Sequence, residues 1–166
     1  MELLFDACAV LKNKGIRGFS VSVIGGVYID IPPEHKDVIK ALDSLPYRQM
    51  YDEIENSDFI LALIDRASLR YINAASGSYQ LSLGFERPIV LNERFACAVG
   101  FTRENSVIYE QNSDLADAMA FAAEMSAVEY ARMASALKDF GRAVHDESFN
   151  NLKRIFTPPP PAERSS

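Results

Sequence analysis

The chain reads SGSYQLSLGFERPIVLNE over residues 76–93, and this stretch predicts the order of elements in the fold. Gly77 lies between two serines, a pattern typical of a turn at a helix N-terminus. A helix-like segment then extends to about Leu83, and Pro88 begins an apolar run of strand length. Because a helix leads directly into an apolar strand, the stretch indicates an α/β fold.

The N-terminal part of the chain predicts the same alternation. Residues 2–14 carry the stripe of an amphipathic helix, and Gly15 stands where a left-handed residue ends such a helix. The stripe consists of Leu4, Ala7, Cys8 and Leu11. Residues 19–24 alternate like a strand and end at the glycine pair Gly25 and Gly26.

The middle of the chain predicts two helices and a buried strand. Pro32 and Pro33 precede a short helix expected over residues 34–42. A second helix is expected over residues 47–56 from its apolar spacing. Residues 59–64 read FILALI, a continuous apolar run typical of a strand that is covered on both faces.

The last third predicts a short strand and then helices. Residues 106–109 form the strand, Ser113 is expected to cap the next helix, and Ser126 and Glu129 form a capping-box pattern. A final helix over residues 146–156 is expected to bury three apolar side chains. These are Phe149, Leu152 and Phe156.

Strands separated by helices imply parallel crossover connections. The predicted fold is therefore an α/β, Rossmann-like doubly wound parallel sheet of about four to five strands, with helices on both faces and a helical C-terminus. Residues 1–156 form the predicted domain, and residues 157–166, TPPPPAERSS, form a Pro-rich tail expected to be extended or disordered.

Composition excludes several classes of protein. The formal charge of -6 argues against a nucleic-acid partner, since binding phosphate backbones requires clustered Lys and Arg. Cys8 and Cys97 lie far apart in sequence and without ligand spacing, so neither a disulfide framework nor a zinc site is indicated. No apolar run approaches the roughly 20 residues that span a bilayer. A soluble, cytoplasmic chain with no direct membrane insertion is expected.

The histidines indicate no catalytic centre. His35 and His145 are far apart in sequence and lack a pattern of Ser, Cys or Asp partners, so both are interpreted as surface residues. The acidic run of residues 52–55 is expected to form the solvent-exposed face of its helix, and no metal site is predicted.

In an open parallel sheet, ligands bind beyond the carboxyl ends of the strands, and the loops expected there cover residues 25–28, 65–78 and 92–101. The segment Ser76, Gly77 and Ser78 is predicted to lie there at a helix N-terminus, where free N–H groups favour an anion such as a diphosphate. Alternatively, one of the two serines merely caps the helix. Gly25 and Gly26 either approach a nucleotide or form an ordinary turn.

Charged residues near these loops extend the candidate site. Asp65 follows the apolar run 59–64 and either binds a sugar hydroxyl or caps the next element. Arg70, Arg87 and Arg94 flank the anion site in sequence and either neutralise phosphate or lie solvated on the surface. Glu93 is a ribose acceptor, a general base or part of a surface salt bridge.

Taken in order, four stretches resemble the C-terminal, donor-binding half of GT-B glycosyltransferases of the group 1 type. They are ELLFDACAVLKNKGIRGFSVSVIGG, LPYRQMYDEIENSDFILALID, SGSYQLSLGFERPIVLNERF and NSVIYEQNSDLADAMAFAAE. The resemblance covers roughly residues 2–156. It implies that residues 76–90 hold the diphosphate and sugar of a nucleoside diphosphate sugar, and that Tyr47 borders the nucleotide base.

The chain departs from that family in two ways. Two glutamates common in the family fall at Asn73 and Leu81, and the acceptor-binding domain is missing. One hypothesis is a donor-binding part that transfers a hexose to a saccharide or lipid-linked acceptor, as in polysaccharide biosynthesis, once an acceptor-domain partner completes the cleft. It needs no cofactor or obligatory metal beyond the donor. The other is a non-catalytic remnant or accessory domain that binds a nucleotide or a protein.

Overall fold

Parallel strands alternate with helices in the computed structural model, which describes residues 1–25, 30–63 and 77–156. The strands in these ranges are β1 (Val21–Ile24), β2 (Ile39–Leu42), β3 (Ile60–Leu61), β4 (Ile89–Asn92) and β5 (Ser106–Tyr109). The helices there are α1 (Glu2–Asn13), α2 (Tyr47–Glu55), α3 (Gly77–Phe85), α4 (Glu93–Val99), α5 (Leu115–Ala123) and α6 (Ala127–Phe156).

The strands pair in two parallel sheets. β1 pairs with β2, with Val21 opposite Ile39. β4 lies between β3 and β5, with Ile89 opposite both Ile60 and Ser106. The α/β class, the parallel strands and the helical C-terminus are therefore confirmed, and the described strands form sheets of two and three strands.

Helices cover both faces of the larger sheet. In β4, Val90 faces a cluster that contains side chains of α1 and α5. Ile89 and Leu91 face a second cluster that contains side chains of α3, α4 and α6. All four residues of β4 are buried, as expected for a strand with neighbours on every side.

Helix α1 confirms the prediction for residues 2–14. The four residues of the predicted stripe are buried, and Gly15 follows the helix with a left-handed φ of 78°. Burial raises the pKa of the Cys8 thiol to about 11. The thiol therefore remains protonated at neutral pH and packs as a small apolar group.

The helix predicted over residues 34–42 is wrong. A single 3-10 turn, Pro33–His35, is followed by strand β2. Val21 donates its backbone N–H to the Val38 carbonyl at 2.8 Å, so the pairing with β1 outweighs the local preference of this segment for a helix.

His35, predicted to be a surface residue, is buried and stacks on Phe5, with 5.4 Å between ring centroids. His145 is exposed, as predicted.

The loop predicted over residues 92–101 is largely helix α4. The Asn92 side chain accepts a hydrogen bond from the Phe95 N–H at 2.9 Å and so caps the helix. Gly100 ends it with φ 83°, and a Cβ added there would come within 3.4 Å of the Phe140 ring. Strand β4 thus leads into a helix at its last residue.

Two expectations about the C-terminal helices are also corrected. Ser113 does not cap α5; Gln111 and Asp114 form a capping box, in which the Gln111 N–H donates to Asp114 at 2.9 Å. Residues 146–156 belong to α6 and not to a separate helix. Its three apolar residues are exposed by 52% (Phe149), 54% (Leu152) and 77% (Phe156), because no described element packs against them.

The predicted capping box at the start of α6 is confirmed. The Ser126 hydroxyl donates to Glu129 at 2.6 Å, and the Glu129 N–H donates back to that hydroxyl at 3.3 Å. We expect Ser126→Ala to lower the free energy of unfolding by about 1 kcal/mol, as measured for other N-caps. Urea denaturation of both proteins measures this difference, and Ser113→Ala is the matched control, for which no comparable loss is expected.

The same box predicts a dependence on pH. The hydrogen bond from the Ser126 hydroxyl, and then that from the Ser126 N–H, lowers the pKa of Glu129. A carboxyl whose pKa is depressed by folding stabilises the fold above its unfolded-state pKa, and this contribution is lost as the pH falls through the folded-state value. The difference in free energy of unfolding between wild type and Ser126→Ala should therefore decrease as the pH falls. A difference that increased in acid would contradict the capping box of Ser126 and Glu129.

Candidate functional site: two helix N-termini at a strand end

One ring contact joins the first turns of α3 and α4. Tyr79, in the first turn of α3, contacts Phe95, in the first turn of α4, with 6.3 Å between ring centroids. Helix α4 begins where β4 ends, so this contact places the start of α3 at the carboxyl edge of the three-stranded sheet. Each N-terminus carries backbone N–H groups without partners inside the helix, and the positive end of the helix dipole. This pair of helix starts is the candidate site.

Gly77 makes the backbone of α3 accessible. It is the first residue of the helix and is exposed, and a Cβ added to it would meet no atom of the described residues within 4 Å. The next residue, Ser78, is partly buried and engaged with other groups of the protein. An anion can therefore approach the first turn of α3 through the open space at Gly77.

Glu93 and Arg94 are the first two residues of α4, and both are exposed. They share the first turn of α4 with Phe95, whose ring contacts Tyr79 in the first turn of α3. The site thus combines an arginine with two helix N-termini, which favours a negatively charged ligand. The carboxylate of Glu93 adds an acceptor for hydroxyl groups of such a ligand.

Other predicted site residues lie elsewhere. Gly25 ends β1 with φ 126° and donates its N–H to Leu42 of β2 at 3.2 Å, so it belongs to the two-stranded sheet. Tyr47 is 77% exposed at the start of α2. Its ring contacts Tyr51, which contacts Phe85 at the far end of α3 from Gly77. Four predicted residues lie outside the described ranges: Gly26, Asp65, Arg70 and Ser76.

Arg87 lies at the opposite end of α3. Its guanidinium donates to the Glu55 carbonyl at the end of α2, and its N–H donates to the Ser82 carbonyl at 3.0 Å. A nine-residue helix is about 13 Å long, which separates Arg87 from the N-terminus of α3. The arginine therefore ties α2 to α3.

The sequence interpretation missed a buried polar pair at the strand ends. Asn92 ends β4 and lies opposite Tyr109, which ends β5, and each is only 2% exposed. Burial raises the pKa of the Tyr109 hydroxyl, whereas the neighbouring Asn92 side chain acts in the opposite direction. One sequence feature could have predicted the position of Asn92. An asparagine that follows an apolar strand and precedes a helix is a common helix cap.

A separate cavity of about 510 Å³ lies between β5, α5 and α6. None of the predicted site residues lines it. Three of its charged residues form ion pairs: Arg103 pairs with Glu110 at 3.3 Å, and Asp117 pairs with Lys14. These contacts give the cavity a mixed-charge wall.

Within residues 1–25, 30–63 and 77–156, no group of three or more His, Cys, Asp or Glu is arranged to hold a metal ion. No helix in that part of the chain has the length and apolar character needed to cross a bilayer. No protein-family model matches the chain, and no curated protein matches it.

Proposed function

We propose that the chain is the donor-binding part of a glycosyltransferase that holds a nucleoside diphosphate sugar at the starts of α3 and α4. The observation that carries this proposal is the contact between Tyr79 and Phe95, which joins two helix N-termini at one strand end. In this proposal, the two described sheets are parts of one Rossmann-like doubly wound sheet, the fold in which ligands bind at such an edge.

The diphosphate is the part of the donor that the site fits best. Its negative charge interacts favourably with the positive ends of two helix dipoles, and its oxygens accept hydrogen bonds from the N–H groups around Gly77. Arg94 supplies a positive charge close by, and Glu93 supplies an acceptor for a sugar hydroxyl. The same groups stabilise the charge that develops on the diphosphate as it leaves.

In the proposed reaction, the bond between the anomeric carbon and the diphosphate oxygen breaks, and its electron pair stays with the diphosphate. An oxygen of the acceptor hydroxyl forms the new bond to that carbon and releases its proton. The substrate class is a hexose donor together with a saccharide or lipid-linked acceptor. The helix starts act on the leaving group, and a second domain or chain supplies the acceptor side.

The strands next to the site support the need for a second polypeptide. β4 is buried throughout, whereas β1 and β3 have apolar residues that are all partly exposed. These are Val21, Val23, Ile24, Ile60 and Leu61. In the proposed single sheet, the edges of β1 and β3 meet each other. The partly exposed apolar residues therefore mark a face, and not a strand edge, that a second polypeptide would cover.

Calorimetric titration of the purified chain with UDP and GDP tests the proposal. We expect one of the two to bind, and we expect no release or transfer of sugar from UDP- or GDP-hexoses by residues 1–166 alone, because in this proposal a second domain or chain supplies the acceptor side. The proposal is wrong if neither nucleotide binds at high micromolar concentration. Turnover by the isolated chain would contradict the need for a second polypeptide.

The partly exposed apolar residues of β1 and β3 also favour a second candidate, a non-catalytic accessory domain that binds a nucleotide and a protein partner. The two candidates differ in one measurement. An acceptor domain that binds the chain should restore hexose transfer if the chain is a donor-binding part. It should restore none if the chain is an accessory domain.

A further inference from the structure

The last twelve residues of α6 extend beyond the body of the protein. Met133 and Leu137, earlier in the helix, are buried against the core. From His145 to Phe156, by contrast, every residue is exposed. The N-terminal half of α6 is thus anchored, while its C-terminal end presents all of its faces to solvent.

The exposed end carries an apolar stripe, with Ile155, which is 76% exposed, beside it. Phe149, Leu152 and Phe156 follow His145 at spacings of four, three and four residues, the repeat of helices that pack in pairs. The His145 and Phe149 rings stack, with 6.5 Å between centroids, so the imidazole continues the stripe. An exposed apolar stripe on a well-formed helix marks an interaction surface.

The charges beside the stripe are arranged so that the helix complements itself. Asp146 and Lys153 are seven residues apart and therefore lie on the same flank of the stripe. The Lys153 ammonium also lies 4.4 Å from the centroid of the Phe149 ring. Two such helices running antiparallel would bring Asp146 of each next to Lys153 of the other, whereas in a parallel pair these residues lie on opposite sides of the seam and form no such pair.

We propose that the end of α6 pairs with the same segment of a second copy of the chain, in an antiparallel arrangement with two-fold symmetry. The stripe is symmetric about its centre, so Phe149 meets Leu152 of the second copy, and His145 meets Phe156 of the second copy. The two ion pairs fix the direction. A two-fold interface uses the same surface on both copies, which is the property that this stripe has.

Sedimentation equilibrium of the full chain, from low to high micromolar concentration, tests the proposal. We expect a reversible dimer that Leu152→Glu converts to a monomer, since it places a charge in the middle of the stripe. Val128→Glu is the matched control: Val128 is also apolar and exposed, by 80%, but lies at the start of α6. The thermal unfolding midpoint of both variants, measured at low concentration, shows that each is folded.

The ion pairs provide the second measurement. Asp146→Lys should weaken the dimer about tenfold or more, because two attractive pairs become repulsive. Lys153→Asp should do the same, and the double variant Asp146→Lys with Lys153→Asp should restore the affinity. A wild-type chain that remains monomeric at high micromolar concentration overturns the proposal. So does a double variant as weak as the single ones, or a Val128→Glu variant that dissociates like Leu152→Glu.

Discussion

Leu91→Ala is expected to lower the free energy of unfolding by about 3 kcal/mol. Leu91 is 0% exposed in β4 and packs in the cluster that contains Phe95 of α4 and Leu137 of α6. Truncation removes apolar contacts and leaves a cavity bounded by a strand and two helices. These elements are tied to the rest of the fold, so the cavity closes poorly and the loss is large.

Urea denaturation followed by circular dichroism measures this loss. Val128→Ala removes a similar amount of side chain from an exposed position, and we expect it to change the free energy of unfolding by less than about 0.5 kcal/mol. Equal effects of the two substitutions would contradict the placement of β4 at the centre of the core.

Ser78→Pro is expected to weaken nucleotide binding about tenfold or more, a loss of at least about 1.4 kcal/mol. Ser78 is the second residue of α3, where the backbone N–H has no partner within the helix and proline is tolerated. The substitution therefore removes one donor to the diphosphate, and hydrogen bonds to charged groups contribute about 1.5–3 kcal/mol. The helix itself should remain.

Titration with the nucleotide that binds wild type measures this change. Ala127→Pro is the matched control, because it places proline at the first position of α6, away from the site. Its affinity should equal that of wild type. If both proline variants bind as tightly as wild type, the diphosphate does not lie on α3. If both lose binding equally, the effect does not arise at the site.

Elements with a complete local pattern were predictable from the sequence. Helix α1 has its apolar stripe and its ending glycine within fifteen residues, and the Ser126 box has both of its partners three residues apart. The prediction for strand β2 was wrong because the hydrogen-bond partners of β2 lie in β1, eighteen residues earlier in the sequence. A pattern of single residues does not contain that partner, so the prolines before β2 were given too much weight.

The start of α3 was predictable from the sequence, because Gly77 and Ser78 were expected at a helix N-terminus and lie there. Helix α4 itself was missed, since its first turn reads as a polar loop until the Asn92 cap is recognised. Tyr47 is turned toward Tyr51, a ring contact that side-chain packing decides. The resemblance to group 1 glycosyltransferases thus remains a proposal about function.

At the exposed end of α6, the helix was predicted correctly but the burial of its apolar residues was not. Phe149, Leu152 and Phe156 have a helical spacing, and the prediction of burial assumed a partner within the chain. Periodicity identifies the face of a helix that favours contact, but it does not identify the surface that provides the contact. A second copy of the chain is the partner that the charge pattern of this segment fits.

An amide ¹H–¹⁵N correlation spectrum, recorded during titration with UDP and GDP, locates the bound nucleotide residue by residue. If the diphosphate binds at the two helix starts, the largest shifts occur at residues 77–80 and 93–95, the first turns of α3 and α4, with none along residues 145–156. Shifts confined to the walls of the cavity between β5, α5 and α6, or no shifts with either nucleotide, would contradict binding at the helix starts.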